Sequence, residues 1–208
     1  MIWIRGSLKP AAPIDAIVFD VDGVLIEDAA SYYATIKAAT RHIIGALHGR
    51  GDDRAEITDA DILAFKAAGG FNDDWELTHT LCGLILAYGD ERPPFGRIAS
   101  ESAGRGLPWV RAHYFPTLPL DFDLVERVCM EYYWGSDLLK VNFGLAARHH
   151  HGQGFVRQER PLVPADYFDR LERLGVASFG IITGRNAIEL EVGLQTLGIA
   201  GDPRFRVM

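Results

Sequence analysis

The sequence predicts an α/β fold in which a parallel-sheet core is interrupted by an α-helical insertion. Two short apolar runs, at residues 15–20 and 178–183, each end in polar residues, which is typical of buried parallel strands. Between them, residues 28–159 form a stretch of roughly 130 residues in which apolar side chains recur mostly at helical spacing. Strand and helix alternate at both ends of the chain while helices fill its middle, which indicates that one domain is inserted into another.

Capping residues and breaks divide the insertion into helices. A helix is expected over residues 28–47, and Thr58 opens a second one, because Thr58 and Asp61 have capping-box spacing. Asp73 or Asp74 is expected to cap a third helix. The remaining expectations are a short helix at 109–114, another from Asp121 or Asp123 through Tyr132, and a loop at 141–160.

The C-terminal part returns to strands and helices. Pro164 marks a helix start, and that helix ends at Gly175 before the strand at 178–183. A helix from Ala187 to Leu197 is closed by Gly198, and Phe205 begins a third strand. The predicted domains are therefore a core made of residues 1–27 and 160–208, and a helical insertion at 28–159.

Composition narrows the function classes. The net charge is −7 and no basic stripe stands out, so nucleic-acid binding is not expected. Cys82 and Cys129 lie in apolar helical runs and are interpreted as buried free thiols, which fits a reducing compartment. No apolar run reaches the ~18 residues of a membrane span, and the N-terminus does not resemble a signal peptide. We expect a cytoplasmic protein without membrane partners.

Two carboxylates follow the first predicted strand. Asp20 and Asp22 lie two residues apart, and Gly23 permits a tight turn beside them. Open parallel sheets bind ligands at the carboxyl ends of their strands, where a carboxylate can attack phosphorus and form an aspartyl-phosphate. A second carboxylate can then exchange protons with the leaving oxygen and with water. The negative charge of such a reaction favours Mg²⁺ as cofactor.

A hydroxyl and a glycine turn follow the second strand. Thr183, Gly184 and Arg185 stand between that strand and the next helix, where backbone N–H groups can bind an anion. Thr183 and the Gly184 amide are candidate phosphate ligands. Arg185 has two alternatives, contact with substrate phosphate or an ion pair with Glu189 one helical turn later.

These motifs together resemble those of a known family. The run Asp20-Val21-Asp22-Gly23-Val24-Leu25 resembles the first motif of the haloacid dehalogenase (HAD) superfamily, and Ile182-Thr183-Gly184-Arg185 resembles the second. The helical insertion resembles the C1-type cap of subfamily IA, and the run from Gly69 to Leu77 looks like a cap signature of one of its clades. The resemblance implies a Rossmann-like core and a Mg²⁺-dependent phosphatase acting on a small phosphorylated metabolite.

The resemblance also implies residue roles. Asp20 would be the nucleophile and a metal ligand, while Asp22 would be the general acid/base and give its backbone carbonyl to Mg²⁺. Thr183 would bind the phosphoryl group. Gly23, Gly184 and Arg185 are the further candidate phosphate-binding residues. Dehalogenases of the superfamily typically lack the second aspartate, so Asp22 favours phosphotransfer.

Two further family motifs, a lysine and a later acidic pair, are not found after Arg185. We expect a truncated, weakly active or inactive form; loss of catalysis in a natural domain, or motifs supplied by another chain, are the alternatives. An unpaired edge on the first strand would then favour an unusual contact there, such as self-association, or a lowered stability. For function, the alternatives are a phosphomutase of the same family and a non-catalytic binding module. His149-His150-His151 is interpreted as a solvated loop, not a metal site.

Overall fold

The computed structural model describes residues 14–49 and 56–207. Within these ranges the chain divides into two compact units. Residues 14–28 and 159–207 form the first, called the core unit here, and residues 29–158 form the second, called the helical unit. The predicted α/β fold class, with a parallel sheet and a series of helices, is confirmed.

The elements follow one another along the chain in a simple order. The strands are β1 (Ala16–Phe19), β2 (Ile26–Glu27), β3 (Arg160–Pro161), β4 (Ser178–Ile181) and β5 (Phe205–Val207). The helices are α1 (Ala29–His42), α2 (Asp59–Ala68), α3 (Asp74–Tyr88), α4 (Phe95–Glu101), α5 (Gly106–Tyr114), α6 (Phe122–Phe143), α7 (Tyr167–Arg173) and α8 (Ala187–Leu197). A π-helical turn (Ile43–Leu47) continues α1, and a 3-10 helix (Phe155–Gln158) precedes β3.

A parallel sheet in the order β1-β4-β5 organises the core unit. Phe19 pairs with Ile181, so β1 and β4 end at the same edge. Side chains on one face of this sheet, including those of Phe19 and Phe179, pack against Phe168 of α7 and Leu190 of α8. Both helices therefore cover the same face of the sheet.

The opposite face of the sheet corrects one expectation. The sequence predicted that residues 15–20 form a buried strand, but Val18 is 50% exposed and Ile182, just after β4, is 59% exposed. The reason is that α7 and α8 both pack on the other face. In the described part of the chain β1 pairs with β4 alone, so it is an edge strand. The expected self-association at this edge stays a prediction.

A second, antiparallel pair was not anticipated from the sequence. Ile26 of β2 pairs with Pro161 of β3, and the N–H of Leu162 donates to the carbonyl of Leu25 over 2.8 Å. Each strand has only two residues, which is too short to leave a periodic signal. This pair joins the two chain segments of the core unit near their ends.

Two helices of the helical unit begin at the capping residues that the sequence predicted. Thr58 and Asp61 form the predicted capping box of α2, and Asp73 caps α3 through the N–H groups of Trp75 and Glu76. The middle of α3 is buried from Leu77 to Leu86. Among the described helices, none combines the length and the apolar character needed to cross a membrane.

Helix α6 extends to Phe143, whereas the sequence predicted a loop from residue 141 onwards. The loop that follows is fastened to it. The buried Glu131 carboxylate accepts N–H bonds from Arg148, His149 and His150 through one oxygen, at 2.8, 2.6 and 3.0 Å. Burial alone would raise the pKa of Glu131, but these backbone donors outweigh it and lower the pKa to about 2. The histidine triplet thus belongs to a loop held through its backbone.

Candidate active site

The candidate nucleophile lies directly after β1. Asp20 is exposed, and its Oδ1 accepts the N–H of Val21 over 2.7 Å. A compact turn follows, in which the carbonyl of Val21 accepts the N–H groups of Leu25 and Ile26, both over 2.9 Å. Gly23 adopts φ 67°, a left-handed conformation that favours glycine. The predicted tight turn is therefore present, and it places Asp22 beside the end of the strand.

The second motif meets the first through the sheet register. The N–H of Ile182 donates to the carbonyl of Phe19 over 2.9 Å, so Asp20 and Thr183 follow neighbouring strand ends. Thr183 is half-buried and Gly184 is exposed. Parallel strands that end together form the edge at which α/β sheets bind ligands. The carboxyl ends of β1 and β4 thus bring together Asp20, Asp22, Thr183 and Gly184.

The start of α8 is less open to an anion than the sequence suggested. Asn186 caps the helix by accepting the N–H groups of Ile188 and Glu189, both over 3.0 Å. The Glu189 carboxylate in turn accepts the N–H of Asn186 over 3.1 Å. These amides already have protein acceptors, so the Thr183 hydroxyl and the Gly184 amide are the remaining candidates for phosphate contact.

Arg185 does not pair with the Glu189 carboxylate; it contacts two other acids. Its Nε donates to Oδ1 of Asp22 over 2.7 Å, and its Nη1 donates to Oε2 of Glu159 over 2.9 Å. Glu189 contributes only its backbone carbonyl, 3.4 Å from Nη1. The Arg185 side chain is 1% exposed. This geometry favours a role of Arg185 towards Asp22 over direct contact with substrate phosphate.

Sequence reasoning missed two residues of this cluster. Glu159 falls in a segment interpreted as loop, yet its side chain is fully buried against Arg185. Gly193 lies on α8, where an added Cβ would come within 3.1 Å of Arg185 Nη1. A glycine inside a helix costs about 1 kcal/mol relative to alanine, so its position was the one available signal of close packing there.

Further carboxyl groups surround the same guanidinium. Burial raises the pKa of Asp28, and the neighbouring charge of Asp22 adds to this rise, while Arg185 opposes it. Burial also raises the pKa of Glu189, against the lowering effects of the Asn186 backbone and of Arg185. The Arg185 charge therefore lowers the pKa of two carboxyl groups, Asp28 and Glu189, in addition to its bonds with Asp22 and Glu159.

The residues present fit a magnesium ion in part. Mg²⁺ in proteins commonly keeps several waters and uses one or two carboxylates together with substrate phosphate. The exposed Asp20 carboxylate, next to the Asp22 backbone, offers oxygen ligands of this kind. In residues 14–49 and 56–207, no group of three or more His, Cys, Asp or Glu side chains is arranged to hold a metal.

Comparisons with known proteins support the fold. No protein-family model matches the chain. Phosphatase Tt82 from Thermococcus thioreducens is similar in structure, with a TM-score of 0.69 and 24% identity over 92% of this chain and 72% of that one. A structural-genomics X-ray structure is similar with a TM-score of 0.61 and 19% identity, over 93% of this chain and 68% of that one.

One curated protein is similar in sequence over a shorter range. An imidazoleglycerol-phosphate dehydratase from Phytophthora nicotianae is 37% identical over 71 residues, which are 34% of this chain. The match spans only 14% of that protein's own length. Taken with the structural neighbours, the comparisons show that this chain shares the fold of a solved phosphatase.

Proposed function

We propose that this chain carries a phosphatase site that hydrolyses a small phosphomonoester through an aspartyl-phosphate on Asp20. The observation that carries the proposal is the β1–β4 register, since it brings Asp20 and Thr183 together at the carboxyl end of the sheet. The fold shared with a phosphatase supports it. The partial match to an enzyme named for a phosphorylated imidazole metabolite agrees with a phosphate-ester ligand and does not identify it.

The chemistry begins with attack on the ester. A carboxylate oxygen of Asp20 forms a bond to phosphorus, and the bond from phosphorus to the leaving oxygen breaks. That oxygen keeps the electron pair and takes the proton of the Asp22 carboxyl. Thr183 and the Gly184 amide hold phosphoryl oxygens, and Gly23 allows the backbone to turn close beside them. Bound Mg²⁺ would neutralise charge on the phosphoryl oxygens, with the Asp20 carboxylate and the Asp22 carbonyl as its protein ligands.

Hydrolysis of the intermediate restores the enzyme. A water oxygen bonds to phosphorus while the Asp22 carboxylate takes a water proton. The bond between phosphorus and Asp20 breaks, which releases inorganic phosphate and the free carboxylate. We expect turnover by this chain to be slow, because the lysine and the later acidic pair implied by the HAD resemblance are not found between Arg185 and residue 208. The helical unit, in its resemblance to a C1 cap, is the proposed source of substrate selection.

The test is hydrolysis of p-nitrophenyl phosphate with Mg²⁺ by the 208-residue chain and matched variants. Asp20→Asn is expected to abolish turnover, and Thr183→Val to raise KM about tenfold through one lost charge-assisted hydrogen bond. Thr196→Val is the control, because the Thr196 hydroxyl bonds the Val192 carbonyl within α8. Equal rates for the wild type and Asp20→Asn would exclude this phosphatase mechanism. Net isomerisation of a sugar phosphate would instead indicate the phosphomutase.

A further inference from the structure

The least anticipated feature of the core unit is a fully buried acid behind the candidate proton donor. We infer that Glu159 and Arg185 are a positioning pair, which holds the Asp22 carboxyl group in the orientation needed for proton transfer to the leaving group. This inference rests on the proposed phosphatase function and deepens it. Neither residue is assigned contact with the reacting atoms.

The contacts define the orientation of Asp22 closely. Arg185 reaches Oδ1 of Asp22 with two nitrogens, Nε at 2.7 Å and Nη2 at 2.6 Å. Both contacts fall on the same oxygen, so the direction of the other oxygen, Oδ2, is fixed by the carboxylate plane. The Asp22 side chain is 30% exposed, which leaves it accessible to a ligand. A planar guanidinium imposes this geometry in a way that a flexible ammonium does not.

Arg185 is itself held from behind. Its Nη1 donates to Glu159 over 2.9 Å, and its backbone N–H donates to the Thr183 hydroxyl over 3.1 Å. The Glu159 side chain is 0% exposed, directly before β3, whose pairing with β2 fixes the backbone there. Arg185 thus connects Asp22 to Thr183, which follows β4, and to Glu159, which precedes β3.

Stability alone is a weak reason for this arrangement. Taking an arginine and a glutamate out of water costs several kcal/mol per ion, so buried pairs often contribute little net stability compared with apolar side chains. A helix glycine also makes room for the guanidinium, because a Cβ at Gly193 would lie within 3.1 Å of both Arg185 Nη1 and Ile26 Cδ1. The buried partner Glu159 and the absence of a side chain at Gly193 thus make room for a guanidinium that contacts Asp22. This favours a role of Arg185 in orienting the Asp22 side chain.

The leaving group of the substrate separates positioning from general structural damage. Phenyl phosphate needs a proton from Asp22 because its leaving group, phenolate, is much more basic than 2,4-dinitrophenolate, which can leave 2,4-dinitrophenyl phosphate without a proton. The measurement is kcat/KM for both esters, which covers the steps up to the aspartyl-phosphate. Glu159→Gln and Arg185→Lys keep size and polarity while weakening the pair. Arg204→Lys is the control, since Arg204 contacts Asp202, Asp169 and Glu172 in the same unit.

For Glu159→Gln and Arg185→Lys we expect kcat/KM on phenyl phosphate to fall about tenfold or more, and on the dinitrophenyl ester less than about threefold. Arg204→Lys should change the ratio of the two by less than about twofold. If Glu159→Gln does not fold, Gly193→Ala presses on the guanidinium with every charge retained, because the added Cβ would lie 3.1 Å from Arg185 Nη1, and a smaller loss with the same selectivity is expected. Equal losses on both esters would overturn the positioning role and leave the phosphatase proposal standing. A wild-type chain that hydrolyses neither ester would overturn both.

Discussion

Arg185 donates from Nε to Oδ1 of Asp22 over 2.7 Å, although 163 positions separate the two residues in the sequence. The contact joins the first candidate motif to the second within the core unit. It also engages an arginine that the sequence offered as a phosphate ligand. Its energetic consequences can be tested apart from catalysis.

The two acids that contact Arg185 should differ in their effect on stability. Glu159→Gln leaves the buried guanidinium without its fully buried partner, so we expect a loss of about 3 kcal/mol in the free energy of unfolding. Asp22→Asn removes a partner that is 30% exposed, and we expect a loss below about 1 kcal/mol. Urea unfolding followed by circular dichroism measures both values. A larger loss for Asp22→Asn would contradict this ranking.

The kink in α6 at Gly135 should tolerate no side chain. Gly135 has φ 72°, and an added Cβ would lie 2.2 Å from the backbone nitrogen of Gly154. Gly135→Ala should therefore cost about 3 kcal/mol or more in thermal or urea unfolding. Gly144→Ala is the matched control, because Gly144 has φ 68° with nothing within 4 Å of the added Cβ. Backbone strain alone predicts about 1 kcal/mol there, and similar losses for both variants would rule out the steric explanation.

Glu131 should make the stability of the helical unit fall in acid. Its pKa in the folded protein is about 2, below its ordinary value of 4.5, so its contribution is complete above about pH 4.5 and is lost as the pH falls towards 2. This shift corresponds to about 3 kcal/mol at neutral pH. Glu131→Gln should therefore lower stability at pH 7 and reduce its slope between about pH 5 and 3. Glu126→Gln on the same helix is the control, and a pH slope unchanged in Glu131→Gln would contradict the assignment.

The cysteine thiols should be unreactive in the folded protein. Both are buried; burial raises the pKa of Cys82 to about 12 and that of Cys129 well above its ordinary value. The thiolate is the reactive form, so neither should react with a disulfide reagent at pH 8. Both should react after unfolding in urea. Rapid labelling of either thiol in the native protein would show that the surrounding helices open more readily than their packing indicates.

Much of the fold followed from local sequence signals. The α8 helix runs from Ala187 to Leu197 and is closed by Gly198 in a left-handed conformation, as predicted. The capping box at Thr58 was equally predictable from the sequence, because its hydrogen bonds join residues that are three positions apart. Helix α4 was not predicted because the many Gly and Pro residues at 89–120 obscure its pattern. The kink at Gly135 was not predicted because the close approach of the Gly154 backbone leaves no local pattern.

The candidate site was predictable only where its chemistry is local. Asp20, Asp22, Thr183 and Gly184 could be chosen because strand ends and glycine turns mark them in the sequence. The partner of Arg185 could not be chosen in this way. Glu159 is 26 positions from Arg185 in the sequence, and the strand β3 that follows Glu159 has only two residues. The same limit applies to burial of β1, since a run of apolar residues does not say whether both faces of the sheet are covered.

The most direct test of the central claim is to trap the phosphoryl group on the chain. The protein would be incubated with p-nitrophenyl phosphate and Mg²⁺, quenched in acid and digested, and the peptides analysed by mass spectrometry. One phosphoryl group is expected on Asp20 of the wild type, and none in Asp20→Asn. A phosphoryl group on another residue, or turnover of the ester without any phosphorylated peptide, would contradict the claim.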